Sequence, residues 1–407
     1  MSETKLKNGL TIVTTPFDSE FVTIAFYVNK GARDEKDDEL GIAHLVEHMV
    51  FKGTINRDRK QIWADIQKNG GILNACTTED YTMFFVHCLK EYMDEALDVI
   101  YELVFLNTIP EEEFELEKSV VVEEVKMYEN QIEQQALVLL NKTLYPNNKN
   151  RWDVGSTPEN VSKITRKQVI DFINRNYIPQ NITLYVAGDV EQKHFVDKME
   201  DYLRDFEFIK SSPEIRAKNI KLNFDNAKES KDGSQSAMIA YYPMNLKNNK
   251  EVIMDEISNY ILGDGFNSRF MTIREDFGYV YSLECDTDFD GFDEEGYSLV
   301  FTQLNSQNIP KTKEVIEGIL DEYCKDGVSD EEFECAVNNI KFKIRKSFET
   351  VNKTNETIIG NRQKGIPETE KELMKLLNSI TKADFDKFIK DKFKDVKVNY
   401  IIVEQTR

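Results

Sequence analysis

The chain has 407 residues, of which 40% are hydrophobic and 11% aromatic, enough to build packed cores and to exclude wholesale disorder. At roughly 150 residues per domain, this length predicts two or three domains. The formal net charge of −21 argues against a nucleic-acid partner, because phosphate binding requires clustered Lys and Arg. With no run of about 18 apolar residues, no membrane span is expected. An odd number of cysteines and no signal-peptide pattern favour the cytoplasm.

Hydrophobic periodicity predicts alternating strands and helices through the first half of the chain. Asn8-Gly9, followed by alternating apolar residues, is typical of a tight hairpin turn. The predicted elements are a hairpin over 6–14, a strand over 21–28, helices over 38–51 and 57–69, a strand pair over 71–89, a helix over 91–106, a long acidic helix after Pro110, a helix over 165–177 and a strand over 182–187.

The second half repeats this alternation. A polar stretch over 211–235 predicts a linker between a first domain, 1–210, and a second domain, 236–407. Ile109–Phe114 and Val328–Phe333 both open a helix with three consecutive acidic residues, 219 positions apart. This internal similarity indicates that the halves are copies of one unit. We therefore predict an α+β fold of two similar halves, each a mainly antiparallel sheet packed with helices on one side.

The motif His44-Leu45-Val46-Glu47-His48 carries the most chemical information. On a helix these three polar residues share an arc of about 100°, and imidazoles at i and i+4 have Cβ atoms ~5–6 Å apart, which lets both reach one zinc ion. Glu47, beside them, is placed to take a proton from a zinc-activated water. The alternative is a helix with chance polar residues. Since the surrounding residues from Leu40 to Phe51 are largely apolar, burying these three groups without a shared purpose would be costly.

A catalytic zinc ion usually has three protein ligands, so a third ligand is required. The acidic helix offers many candidates: Glu111, Glu112, Glu113, Glu115, Glu117, Glu123, Glu124 and Glu129. A helical wheel places Glu117 and Glu124 between apolar groups, two turns apart on one face. A buried carboxylate needs a partner, and a metal ion is one such partner. The helix pattern alone leaves both residues open, beside the alternative that each is an ordinary solvated glutamate.

Gly31-Ala32-Arg33-Asp34-Glu35 and the segment 41–54 together resemble the signature of the pitrilysin/insulinase zinc metallopeptidases, most closely their mitochondrial-processing-peptidase-like branch of short chains. This resemblance implies that Glu124 is the third zinc ligand and that Glu117 is a supporting acid behind the ligands. It also implies that the segment 74–78 is an edge strand whose Asn74 and Ala75 pair with the substrate backbone.

Two further sets of residues are candidates for substrate contacts. Phe51, one turn beyond His48, is a candidate for lining the pocket of the residue after the scissile bond, with a plain core role as the alternative. In the second half, the segments 273–275 and 278–282 resemble the family's arginine–tyrosine segment. The resemblance implies that Arg274 and Tyr281 donate hydrogen bonds to the substrate carbonyl and the developing oxyanion.

The second half departs from the zinc pattern. Positions 219 residues after Glu117 and Glu124 hold Ala336 and Lys343, and no histidine follows His194. We therefore expect one zinc ion per chain. Some members of the family are split into two subunits, one with the zinc motif and one with the arginine–tyrosine segment. Because this chain carries both, a homodimer enclosing a peptidase chamber is expected, with a heterodimer of related subunits as the alternative.

The resulting hypothesis is a zinc-dependent endopeptidase acting on unfolded or precursor peptides. The main alternative is a non-catalytic peptide-binding or assembly subunit, since the family contains such proteins, although those usually lose residues of the zinc motif. A purely structural zinc site is disfavoured, because structural sites fill all four positions with protein ligands.

Overall fold

The computed structural model describes residues 1–146, 148, 153–204, 220–233, 235–265, 267–292 and 294–406. They form two compact units. The first contains the described residues within Met1–Tyr128, Trp152–Arg216 and Glu349–Glu356, and the second those within Glu129–Arg151, Ala217–Phe348 and Thr357–Arg407.

The first unit is built on a mixed six-stranded sheet in the order β1-β2-β6-β3-β5-β4. Its strands are β1 (Ser2–Lys5), β2 (Thr11–Pro16), β3 (Phe21–Val28), β4 (Ile72–Thr77), β5 (Thr82–Leu89) and β6 (Ile182–Gly188). The pair β2–β6 is parallel, and the other pairs are antiparallel. Strand β3 lies at the centre and is buried along nearly its whole length, as expected for a strand covered on both faces. Strand β4 is an edge strand.

The second unit has a mixed five-stranded sheet in the order β7-β11-β8-β10-β9. Its strands are β7 (Ala227–Asp232), β8 (Ser236–Pro243), β9 (Glu284–Asp288), β10 (Tyr297–Leu304) and β11 (Asn399–Thr406). Here β7–β11 is the parallel pair. Residues 211–219 of the predicted linker lie outside the described residues, and strand β7 lies within its remainder.

Helices flank both sheets. In chain order they are α1 (Ile42–Val50), α2 (Arg59–Gln67), α3 (Met93–Phe105), α4 (Glu111–Glu129), α5 (Ile132–Leu144), α6 (Pro158–Lys163), α7 (Arg166–Asn176), α8 (Gln192–Tyr202), α9 (Asn249–Asn259), α10 (Thr272–Glu275), α11 (Ile309–Asp326), α12 (Asp330–Ser347), α13 (Val351–Lys364), α14 (Glu370–Leu377) and α15 (Lys382–Phe393). The α+β class is confirmed. None of the described helices is long and apolar enough to cross a bilayer.

Helix α5 departs from the predicted division of the chain. It lies within residues 1–210, predicted as the first domain, but belongs to the second unit. Its apolar residues Ala136 and Leu140 join a small core with Ala237 and Ile239 of β8. The opposite face of β8, with Met238 and the residues alternating with it, faces the larger core of that unit. Thus the second sheet carries helices on both faces, rather than on one side alone.

Candidate metal centre

Helix α1 presents a narrow polar face. Ile42, Ala43, Leu45, Val46, Met49 and Val50 are all buried in the core of the first unit. His44, Glu47 and His48 occupy the remaining, partly open arc, as the helical spacing predicts. The helix begins at Ile42 rather than at the predicted residue 38, because Gly41 adopts a left-handed conformation with φ of 89°.

Helix α4 supplies the acids opposite this face. Phe114, Val121 and Val125 anchor it in the core, and Glu117 is buried beside them. The Glu124 carboxylate lies 3.3 Å from Nε2 of His48 and 3.9 Å from Nε2 of His44. Ligand atoms of His44, His48 and Glu124 all lie within 4.8 Å of one another. The structure therefore brings these three predicted ligands together.

The donor set suits zinc. Two ligands bound at ~2.0–2.1 Å to a tetrahedral ion lie about 3.3 Å apart, close to the separations between Glu124 and the two rings. Two imidazoles and one carboxylate leave one tetrahedral position open, which is the pattern of catalytic sites. Nε2 is the ring atom of His44 that faces Glu124, while its Nδ1 atom is buried and forms no hydrogen bond with a described residue.

Glu117 stands behind His48 and fixes its ring. Nδ1 of His48 lies 2.9 Å from the Glu117 carboxylate, and Nζ of Lys52 lies 2.6 Å from it. Because an ionised carboxylate only accepts, Nδ1 of His48 carries the proton and Nε2 keeps its lone pair for a metal ion. Burial raises the pKa of Glu117, but the hydrogen bonds from His48 and Lys52 outweigh it, so the net pKa is lowered.

The two histidines differ in their electrostatics. Burial, together with the neighbouring charge of His48, lowers the pKa of His44 to about 4. Burial also lowers the pKa of His48, but the hydrogen bond to Glu117 and the charge of Glu124 raise it more, giving a net increase. A metal ligand must be a neutral imidazole. His44 therefore meets this requirement at neutral pH, whereas a metal ion must displace a proton from His48 at low pH.

Glu47 is held next to the edge strand. Oγ1 of Thr77, at the end of β4, donates a 2.5 Å hydrogen bond to the Glu47 carboxylate. Burial raises the pKa of Glu47, and the Thr77 hydrogen bond partly opposes this. A carboxylate with a raised pKa is a better proton acceptor near neutral pH. Glu47 lies on α1 directly before His48, and its raised pKa gives it the basicity that a general base requires.

Strand β4, which is predicted to pair with the substrate backbone, contacts the site through Thr77. Asn74 and Ala75 lie on edge strand β4, which pairs with β5 on one side, so an added peptide strand has a place to pair. The ring of Phe51 stacks on Trp63, with ring centroids 5.3 Å apart, and is half-buried against the core. Its role in lining a substrate pocket stays a prediction.

Arg274 and Tyr281 belong to the second unit. The guanidinium carbon of Arg274 lies 5.4 Å from the centre of the Tyr281 ring, and its Nε lies 3.4 Å from Glu275. Tyr281 is 80% exposed. The two residues are thus neighbours, and their action on a substrate stays a prediction.

Three contributors to the site were not predicted from the sequence. Thr77 donates to Glu47, and Lys52 pairs with Glu117. The carboxylate of Glu35 accepts hydrogen bonds from the backbone N–H groups of Gly41 and Ala43 at the start of α1. The helix-opening glycine at position 41 was a usable signal for Glu35, since a glycine cannot cap a helix with its own side chain.

Comparison with known proteins agrees with this geometry. The family model described as insulinase (peptidase family M16) matches residues 12–154, and the model described as the peptidase M16 inactive domain matches residues 163–340. An uncharacterised zinc protease of Bacillus subtilis, YmxG, is 27% identical over 371 residues, covering 88% of this chain and 87% of its own. The mitochondrial-processing peptidase subunit beta of Neurospora crassa is 30% identical over 201 residues, covering 49% of this chain and 42% of its own.

Solved structures show the same fold. A protease from Helicobacter pylori superposes with a TM-score of 0.88 at 19% identity, covering 99% of both chains.

Fold and site together define a two-domain protein of the zinc protease class, with a His–His–Glu group in the first domain. The chain belongs to the peptidase M16 (insulinase) family. It is accordingly a peptide-bond hydrolase by family and by site.

Proposed function

We propose that this protein is a zinc-dependent endopeptidase that cleaves unfolded or precursor peptides. The single observation that carries the proposal is the convergence of His44, His48 and Glu124 within 4.8 Å. Glu47, held by the edge strand through Thr77, adds the proton acceptor. Nε2 of each histidine and one oxygen of Glu124 would hold the ion. When bound, zinc supplies polarisation of the scissile carbonyl and a more acidic water.

The residues of the chain then have defined tasks. A peptide adds to β4 as a further strand, with Asn74 and Ala75 along its backbone, which fixes the scissile bond relative to α1. Glu47 accepts the proton of the attacking water and returns it to the leaving amine. In the same proposal Arg274 and Tyr281 donate hydrogen bonds to the developing oxyanion.

Assembly and location belong to the proposal as well. We propose a homodimer that encloses the substrate in a chamber, working in the cytoplasm. The homodimer is supported by the presence of both the zinc motif and the arginine–tyrosine segment in one chain, and the location by an odd number of cysteines, which favours a reducing compartment. Light scattering of the purified protein at micromolar concentration checks the assembly. A monomer that cleaves peptides at the full rate would contradict the need for a partner.

The substitution Glu47→Gln tests the central claim, because it keeps the shape of the side chain and removes its basicity. We expect one zinc ion per chain in both proteins and a loss of kcat of about 10²–10⁴-fold in the variant, the usual contribution of general acid–base catalysis. Cleavage of quenched fluorescent peptides and metal analysis measure the two quantities. Equal turnover would remove Glu47 from its role, whereas a wild type that binds peptides but cleaves none would favour a non-catalytic binding subunit.

A further inference from the structure

Helix α1, which carries His44 and His48, is capped at its N-terminus by a residue outside the helix. Helix termini leave their first N–H groups without partners within the helix. Gly41, at the cap position of α1, has no side chain to offer. Instead, the buried carboxylate of Glu35 accepts hydrogen bonds from the backbone N–H of Gly41 (2.8 Å) and of Ala43 (2.9 Å). A carboxylate at this end also interacts favourably with the helix dipole.

The segment that carries Glu35 is joined to the turn after the edge strand. The N–H of Ala32 donates to the carbonyl of Thr78 (3.1 Å), and the N–H of Arg33 donates to the carbonyl of Glu79 (2.8 Å). At Gly31 the approach is so close that a Cβ atom would lie 2.4 Å from the Thr78 oxygen. Only a glycine is compatible with this contact. Residues 31–35, which we call the bracing segment, therefore have a fixed position against the turn.

Two routes thus connect helix α1 with strand β4. One runs from Ala43 through Glu35 and the bracing segment to the turn that follows β4. The other is the hydrogen bond from Thr77 to Glu47. The first route fixes the helix backbone, and the second fixes the proton acceptor that the helix carries. Together they set the distance between the reacting groups and any peptide paired with β4.

We propose that Glu35 is a positioning residue for hydrolysis, which fixes helix α1 relative to the edge strand on which the peptide lies. This proposal rests on the proposed function for its catalytic consequence. Its physical basis is that reacting groups tolerate little displacement, since a misplacement of about 1 Å can cost ~10²-fold in rate. Glu35 binds backbone N–H groups at the start of α1 and so acts through the backbone of that helix.

The test compares Glu35→Gln with a matched control, Glu39→Gln, in the full chain. Glu35 is 4% exposed and Glu39 is 3% exposed, so both are buried acids in the residues that precede α1. The Glu39 carboxylate, however, pairs with Arg175 of α7 rather than with the N–H groups of α1. A glutamine at position 35 keeps one acceptor oxygen and so loses one of the two hydrogen bonds.

For Glu35→Gln we expect kcat to fall about 10–100-fold with KM within about two-fold, because binding to β4 is retained while alignment is lost. We also expect zinc affinity, measured by competition with a chelating indicator, to weaken about tenfold, as for other residues that orient metal ligands. Glu39→Gln should lower Tm while leaving kcat and zinc affinity within about two-fold of wild type.

Glu35→Asp, which keeps the charge but shortens the reach, should shift both quantities in the same direction as Glu35→Gln, and it replaces that variant if the latter does not fold. Wild-type kcat and zinc affinity in a folded Glu35 variant would overturn the proposal. The proposal would also be overturned if kcat and zinc affinity fell in both Glu35→Gln and Glu39→Gln in proportion to the loss of Tm in each. If wild type cleaves no peptide, the proposed function fails, and the zinc titration alone then decides the role of Glu35.

Discussion

The two units use one sheet topology for different chemistry. Strands β2-β6-β3-β5-β4 of the first unit and β7-β11-β8-β10-β9 of the second follow the same order, with the parallel pair at the same end. Helices α4 and α12 begin 219 residues apart at equivalent acidic segments, so the structure supports the internal repeat predicted from sequence. Similar backbones therefore do not determine whether a unit carries the side chains of a metal site.

Side chains make the difference. The first unit spaces His44 and His48 four residues apart and faces them with Glu124. In the second, Asp264 of a short helical segment pairs with Lys343 of α12, with Nζ 2.9 Å from the carboxylate. Lys343 is the residue 219 positions after Glu124. An ammonium group is positively charged and cannot bind a cation. At the sequence position that corresponds to Glu124, the second unit therefore has one member of an ion pair instead of a candidate metal ligand.

The largest expected effect is the loss of the histidine ligands. We expect His44→Ala or His48→Ala to lower zinc from one ion per chain to less than about a tenth under dilute chelator and to abolish peptide cleavage, because two remaining ligands bind zinc weakly. Asp264→Ala is the control in the second unit and should leave zinc content unchanged. A loss of zinc in that variant would show that the two units are not chemically distinct.

Glu117→Gln should have the next largest effect. The variant loses the charge that orients His48 and pairs with Lys52, so we expect zinc affinity to fall about 10–100-fold. The control is Glu123→Gln on the same helix, where the carboxylate pairs with exposed Lys126. Competition titrations compare both with wild type, and equal affinities for all three proteins would contradict a supporting role for Glu117.

The two units also differ in the pKa values of their buried acids, which makes the comparison testable by pH. Glu117 pairs with the ammonium group of Lys52. Asp255 of the second unit is buried with Asn259 as a hydrogen-bond donor 3.2 Å away, and burial raises the pKa of Asp255 to about 7. Between about pH 4 and pH 7 the folded chain holds a proton on Asp255 that the unfolded chain releases. This residue's contribution to stability therefore falls as pH rises through that window.

Asp255→Asn removes this titration. We expect it to increase the free energy of unfolding on the order of 2–4 kcal/mol at pH 8, with little change near pH 4, as a pKa shift of that size implies. Thermal and urea unfolding at the two pH values measure the difference. A variant that is destabilised equally at both would indicate that Asp255 is ionised and well paired in the native state.

The ion pair of the second unit should matter least. The side chains of Lys343 and Asp264 are 51% and 34% exposed, so solvent screens their attraction. We expect Lys343→Met to change stability by less than about 1 kcal/mol and to leave zinc at one ion per chain. More than one zinc ion per chain in this variant would show that Lys343 keeps metal out of the second unit.

The sequence by itself determined the local parts of this protein. The i, i+4 spacing of His44 and His48, with Glu47 between them, follows from helical periodicity, and the hairpin around Asn8-Gly9 follows from turn chemistry. These features depend on residues within one or two turns of each other. The same spacing placed Glu117 and Glu124 on one face of α4 but left their separate roles open.

Only the tertiary structure decided how those parts meet. It showed Glu124 facing both Nε2 atoms while Glu117 binds Nδ1 of His48, a contact across 69 residues. It also revealed the link from Thr77 to Glu47, the distant capping of α1 by Glu35, and the place of α5 in the second unit. Such contacts depend on how elements far apart in the chain pack together, and no local periodicity encodes that.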